Sequence, residues 1–143
     1  MPDPIGTVVP FEPMMRAPVA RILVIDDDPE VVDVLVTCLR EQGYGALGAL
    51  TSDDGLRLIT RGRPDLVLLD VALPGMNGID VLKRIRSIDP TLRVIMVTGS
   101  KDPLLAGEAL QLGALAYVDK PFDLAHLKRI VAMALRPDQT ITQ

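Results

Sequence analysis

Asp26, Asp27 and Asp28 stand in a row directly after the apolar run at 22–25. Three adjacent carboxylates repel one another, and their crowding at one point of the chain calls for a compensating cation. A hard divalent ion such as magnesium suits them, because it takes oxygen ligands in near-octahedral geometry and keeps waters beside one or two carboxylates. A solvated acidic turn, with Asp28 capping a following helix, is the competing reading of the same residues. Asp70 follows the apolar run at 66–69 in the same way. A carboxylate there is held by stiff backbone at the rim of a core, where it can attack phosphorus to give an acyl phosphate. Taken alone, it can equally well do no more than end the run.

Thr98 closes a third run, 94–97, with Gly99 behind it leaving room for close approach, and Lys120 and Pro121 follow a fourth. A threonine hydroxyl can donate to a phosphoryl oxygen, and an ammonium offers it a point charge. Each residue is commonplace by itself. Together, an acidic pair, a further carboxylate, a hydroxyl and an ammonium make up the set that phosphoryl transfer uses, in which the protein positions groups and neutralises charge on the equatorial oxygens.

The elements that must position this set are legible in the apolar pattern. Runs 22–25, 66–69 and 94–97 are apolar on both faces, as parallel strands covered by helices on both sides must be. Two weaker strands are expected at 45–50 and 114–118. Between them Val31, Val34, Leu35 and Cys38 share one helical face, with Gly43 as a stop signal. A second helix is expected over 53–61 with Ser52 as cap and Pro64 beyond its end. A third runs over 78–87 on Ile79, Leu82 and Ile85, a fourth follows Pro103, and a fifth spans 123–135 before Pro137. Strand then helix, repeated, winds into one parallel sheet with helices on both faces. Such sheets bind ligands at the carboxyl ends of their strands, where the order of strands reverses.

Composition narrows the field. The 143 residues suit one domain with a sizeable core, and 48% hydrophobic against 24% charged residues is a globular mixture. The net charge of −4, with Lys and Arg scattered and no basic run, speaks against direct binding of nucleic acid. The absence of tryptophan removes a base-stacking platform. No apolar stretch approaches the roughly 18 residues of a membrane span, no secretory signal opens the chain, and a cytoplasmic location is the expectation. Cys38 is the sole cysteine, so an intrachain disulfide or cysteine metal cluster cannot form, and its apolar neighbours make it a packing thiol.

At these residues the sequence resembles the receiver domain of two-component response regulators, in the single-domain chemotaxis-regulator style, over about residues 20–136. The segment Asp70-Val71-Ala72-Leu73-Pro74-Gly75-Met76-Asn77-Gly78 looks like the family's phospho-acceptor loop, and Val97-Thr98-Gly99 and Lys120-Pro121-Phe122 recur at the expected intervals. The resemblance implies a flavodoxin-like doubly wound sheet of five parallel strands in the order 2-1-3-4-5. It implies that Asp70 is the phospho-acceptor, charged by a histidine kinase or histidine phosphotransfer protein. Asp26, Asp27, Asp70 and the backbone carbonyl of Ala72 would hold Mg2+, for which Mn2+ can substitute. Thr98 and Lys120 would bind the phosphoryl oxygens, Tyr117 would be the aromatic switch, and Ala72 and Ser100 occupy the positions that tune phosphoryl lifetime. A haloacid-dehalogenase-type phosphatase would need a second aspartate where Ala72 stands, so the expectation is a signalling switch that catalyses only its own phosphorylation and dephosphorylation.

In this family the fourth helix, fifth strand and fifth helix form the surface that changes. Gly107 in the middle of that helix costs about 1 kcal/mol relative to alanine. It reads either as loosening the helix for switching or as allowing tight packing. The sole histidine, His126, reads as an ordinary helix residue and not as a phosphoryl carrier. The expected organisation is a proline-rich leader at 1–19, in which Met14 and Met15 offer alternative starts, a receiver domain at 20–136 and a tail at 137–143, with no attached output domain. An unidentified downstream protein is the expected target, and a phosphorylation-dependent homodimer is compatible with the same face.

Overall fold

The computed structural model describes residues 19–73, 75–99, 103–120 and 122–136. The expected leader up to residue 18, Pro74, Ser100, Pro121 and the tail at 137–143 lie outside the described residues. Five strands alternate with five helices: β1 (Arg21–Ile25), α1 (Pro29–Glu41), β2 (Gly45–Ala49), α2 (Ser52–Gly62), β3 (Leu66–Leu69), α3 (Gly78–Ile88), β4 (Arg93–Thr98), α4 (Pro103–Gln111), β5 (Ala116–Asp119) and α5 (Leu124–Ala134). The strands form one parallel sheet in the order β2-β1-β3-β4-β5, as in the flavodoxin-like arrangement.

Alternation along each strand sends successive side chains to opposite faces. Leu23, Ile25, Val67, Leu69, Val94 and Met96 pack with Ile59, Ile79, Leu82, Ile85 and Ala109 of α2, α3 and α4. Ile22, Val24, Leu66, Leu68, Ile95 and Val97 pack on the other face with Leu35, Leu39, Leu127 and Val131 of α1 and α5. This two-sided burial explains why β3 and the stretches 22–25 of β1 and 94–97 of β4 are unbroken apolar runs. The edge strands β2 and β5 are less covered and correspondingly less apolar.

Several local expectations are corrected. Val34 is 48% exposed, and Leu39 takes its place beside Leu35 and Cys38 in the buried stripe of α1. Thr51, not Ser52, caps α2: its side chain accepts from the Asp54 N–H at 3.1 Å, while Ser52 is the first helical residue and is buried. Both residue types cap well, and the choice falls to the one with extended backbone as the chain leaves β2. β2 ends at Ala49, leaving Leu50 exposed, and β5 begins at Ala116 and ends at Asp119, two residues later at its start than expected. Leu112 and Gly113 form the turn after α4, and Ala114 and Leu115 lead from it into β5, with the Leu115 N–H donating to Val94 O. The expected stop at Gly43 coincides with a left-handed residue, φ 95°. Among the described residues no helix is long and apolar enough to cross a membrane.

Candidate phosphoryl and metal site

The strand register creates the site. Ile25 is paired with Leu69, so Asp26 and Asp70, the next residues of β1 and β3, emerge side by side where the strand order reverses. The Asp70 N–H donates to Ile25 O at 2.9 Å and locks that alignment. Thr98 at the end of β4 is paired with Asp119, and the Lys120 N–H donates to Thr98 O at 2.8 Å. Four of the candidate residues are thus fixed on one edge of the sheet by backbone hydrogen bonding alone.

Asp26 is 2% exposed, Asp70 4% and Thr98 fully buried, whereas Asp27 is open to solvent. Each buried carboxylate spends one oxygen on the backbone. Asp26 Oδ1 accepts from the Asp28 N–H at 2.9 Å, and Asp70 Oδ1 accepts from the Ala72 N–H at 3.1 Å. The other oxygens face Lys120, whose Nζ lies 2.5 Å from Asp26 Oδ2 and 3.4 Å from Asp70 Oδ2. Asp28 is the N-cap of α1, accepting from the Glu30 N–H at 3.0 Å. The acidic triplet is therefore divided: two carboxylates turn to the site and the third to the helix.

Burial raises the Asp70 pKa above the ordinary carboxylate value; the Ala72 N–H opposes this, Asp26 adds to it, and Lys120 opposes it. Burial also works against the charge on Lys120, but the hydrogen bond to Asp26 and the charges of Asp70 and Asp26 outweigh it and raise its pKa. One oxygen from each of Asp26, Asp27 and Asp70 lies within 4.8 Å of the others. An all-oxygen donor set of this size fits a hard divalent ion such as Mg2+ and offers nothing to a soft one.

The loop after Asp70 is shaped by a glycine whose role the sequence did not disclose. A Cβ at Gly78 would lie 2.5 Å from both Asp70 O and Val71 Cα, and the Gly78 N–H donates to Val71 O at 2.6 Å. The start of α3 thus leans on the backbone of Asp70. The sequence placed a helix start near Gly78 without naming its cap, which is Asn77, and the fold-back of this loop onto the Asp70 backbone leaves no local signal. At Gly99 a Cβ would meet no protein atom within 4 Å, so no neighbouring protein segment requires glycine there.

Of the remaining candidates, Ala72 is exposed, with its N–H on Asp70. Tyr117 is half-buried, packed against the α2–α3–α4 face of the core. His126 is exposed on α5. Gly107 is exposed, and a Cβ there would meet no atom of a neighbouring element within 4 Å, so tight packing does not require it. Ser100, expected to tune lifetime, lies outside the described residues.

Residues 22–132 match the response regulator receiver domain family, and the chain belongs to it. It is 38% identical over 111 residues to sporulation initiation phosphotransferase F of Bacillus subtilis, covering 78% of this chain and 90% of that protein. It is 40% identical to the DNA-binding response regulator MtrA of Mycolicibacterium smegmatis over 83% of this chain but only 52% of MtrA. Among solved structures it resembles a CheY-like receiver domain protein from Methanospirillum hungatei, with a TM-score of 0.78, 32% identity and coverage of 80% and 92% of the two chains. A receiver domain protein from Clostridium thermocellum superposes as well, with a TM-score of 0.78 and 34% identity over 82% of this chain and 94% of that one. Receiver domains are the signalling switches of two-component systems; they receive phosphoryl groups from histidine kinases or phosphotransfer proteins and typically bind Mg2+ at an acidic pocket.

Proposed function

We propose that this chain is a phosphorelay switch in which Asp70 is the phospho-acceptor. The observation that carries the reading is the convergence of Asp26, Asp27, Asp70, Thr98 and Lys120 on one sheet edge, with the Asp70 carboxylate buried and one of its oxygens fixed by the Ala72 N–H. In the transfer step an Asp70 carboxylate oxygen attacks the phosphorus of a phosphohistidine on a partner kinase or phosphotransfer protein. The new P–O bond forms as the P–N bond breaks, and the imidazole leaves with the electron pair and takes a proton. Asp26, Asp27, Asp70 and the Ala72 carbonyl would hold Mg2+, which supplies neutralisation of charge on the phosphoryl oxygens.

Lys120 then exchanges part of its interaction with Asp26 for a phosphoryl oxygen, and the Thr98 hydroxyl donates to another. Drawing Thr98 toward the phosphoryl group opens space into which Tyr117 turns, biasing the α4–β5–α5 face toward a second packing. That face regulates a downstream protein or pairs with a second copy. The cytoplasmic location expected from the sequence belongs to the same proposal. Beryllofluoride with magnesium should perturb the amide spectrum from Asp70 through Thr98 to Tyr117 and α4. An unchanged spectrum in the wild type would sink the reading.

A further inference from the structure

Arg86, in the last turn of α3, reaches across to two other segments of chain. Its Nε donates to Leu112 O at 2.6 Å, Nη1 to Leu92 O at 2.6 Å and more weakly to Asp89 O at 3.5 Å, and Nη2 to Gly113 O at 3.1 Å. These acceptors are all backbone carbonyls. Leu112 and Gly113 close the C-terminal end of α4: their N–H groups donate back to Glu108 O and Leu110 O. Leu92 immediately precedes β4. The guanidinium therefore ties the ends of α3 and α4 to the entry of β4, and its positive charge sits where the dipoles of both helices are negative. Gly113 is left-handed at φ 87°, and a Cβ there would come within 3.2 Å of Arg86 Nε, so the turn is fitted closely around the clamp.

The other end of α4 is held differently. Leu104 is 80% exposed, Leu105 is only partly buried against the core, a Cβ at Gly107 would meet nothing within 4 Å, and the one fully buried residue of α4, Ala109, lies in its second half. The clamp also lies at the edge of the sheet opposite the phosphoryl site, because Leu92 and Thr98 flank the two ends of β4. The N-terminal end of α4, with less buried side-chain surface, follows Thr98 in the chain, while the C-terminal end is fastened by Arg86.

We infer that Arg86 is a positioning residue that pins the C-terminal end of α4, so that α4 answers changes at Asp70 as a lever moving at its N-terminal end about a fixed pivot. The inference rests on the switch reading above and specifies which part of the responding face moves.

Hydrogen exchange on the full chain, with and without beryllofluoride and magnesium, tests it. In the wild type the ligand should change exchange at 104–108 by roughly tenfold or more and at Leu112, Gly113 and Ala114 by less than about twofold. In Arg86→Met both stretches should change alike. Arg86→Lys keeps the charge without the planar fork that spans several carbonyls and should behave like the methionine variant. Equal changes at the two ends of α4 in the wild type, or variant profiles that match the wild type, overturn the pivot. Should the methionine variant not fold, the wild-type and lysine profiles decide. A wild type in which Tyr117 responds but α4 pivots elsewhere removes this inference and leaves the switch standing, whereas no response at any amide removes both.

Discussion

The Lys120 ammonium lies 2.5 Å from Asp26 Oδ2, an ion pair between groups that are 22% and 3% exposed. The lysine thereby holds the carboxylate that a divalent ion would also use, and the two cations compete for it. Lys120→Met should raise Mg2+ affinity by severalfold, measured by magnesium titration of amide shifts. The same variant should be less stable in magnesium-free buffer by about 1–3 kcal/mol, because Asp26 and Asp70 then lose their cation. Unchanged or weaker magnesium binding would contradict the competition.

Asp70→Asn should melt at higher temperature than the wild type in magnesium-free buffer at neutral pH. Burial raises the folded-state pKa of Asp70, so folding disfavours its ionised form. That cost is present above the folded pKa and vanishes once pH falls below both the folded and unfolded values. The advantage of asparagine should accordingly shrink as pH is lowered through the carboxylate range. A stability gap that widens on acidification would reverse the sign assigned to this group.

Gly78→Ala should destabilise the fold by about 1–3 kcal/mol in urea titrations, since its Cβ would overlap backbone atoms that cannot move without displacing Asp70. Gly107→Ala should do the opposite, stabilising by up to about 1 kcal/mol, because helix propensity improves and nothing is crowded. The pair separates a glycine required by close approach from one that merely loosens a helix.

Thr51→Ala should cost about 1 kcal/mol through loss of the α2 cap, with a smaller effect for Ser52→Ala. Equal costs would mean that the cap is shared between them.

The strands β1, β3 and β4 were legible because burial on both faces leaves no polar residue in the run, and the acidic residues at their ends were legible for the same reason. Asp26, Asp70, Thr98 and Lys120 could be picked out one by one, and the parallel register then brought them together. What escaped was non-local. Val34 has the spacing of a buried residue, but α1 turns the stripe of Leu35, Cys38 and Leu39 inward and leaves Val34 at its exposed border. The thin apolar pattern of β2 and β5 blurred their ends. Gly78 folds back on the backbone of Asp70 across a short loop and Arg86 reaches Leu112 from a different helix, and nothing in the neighbouring sequence announces either contact.

The claim on which the account turns is that Asp70 takes the phosphoryl group, and intact-mass measurement after incubation with acetyl phosphate and magnesium tests it most directly. The account predicts that the wild type gains the mass of one phosphoryl group, that the gain is lost with chelator and in Asp70→Asn, and that borohydride reduction places it on residue 70. A wild type that gains no mass, or an Asp70→Asn protein that gains as much, would contradict it.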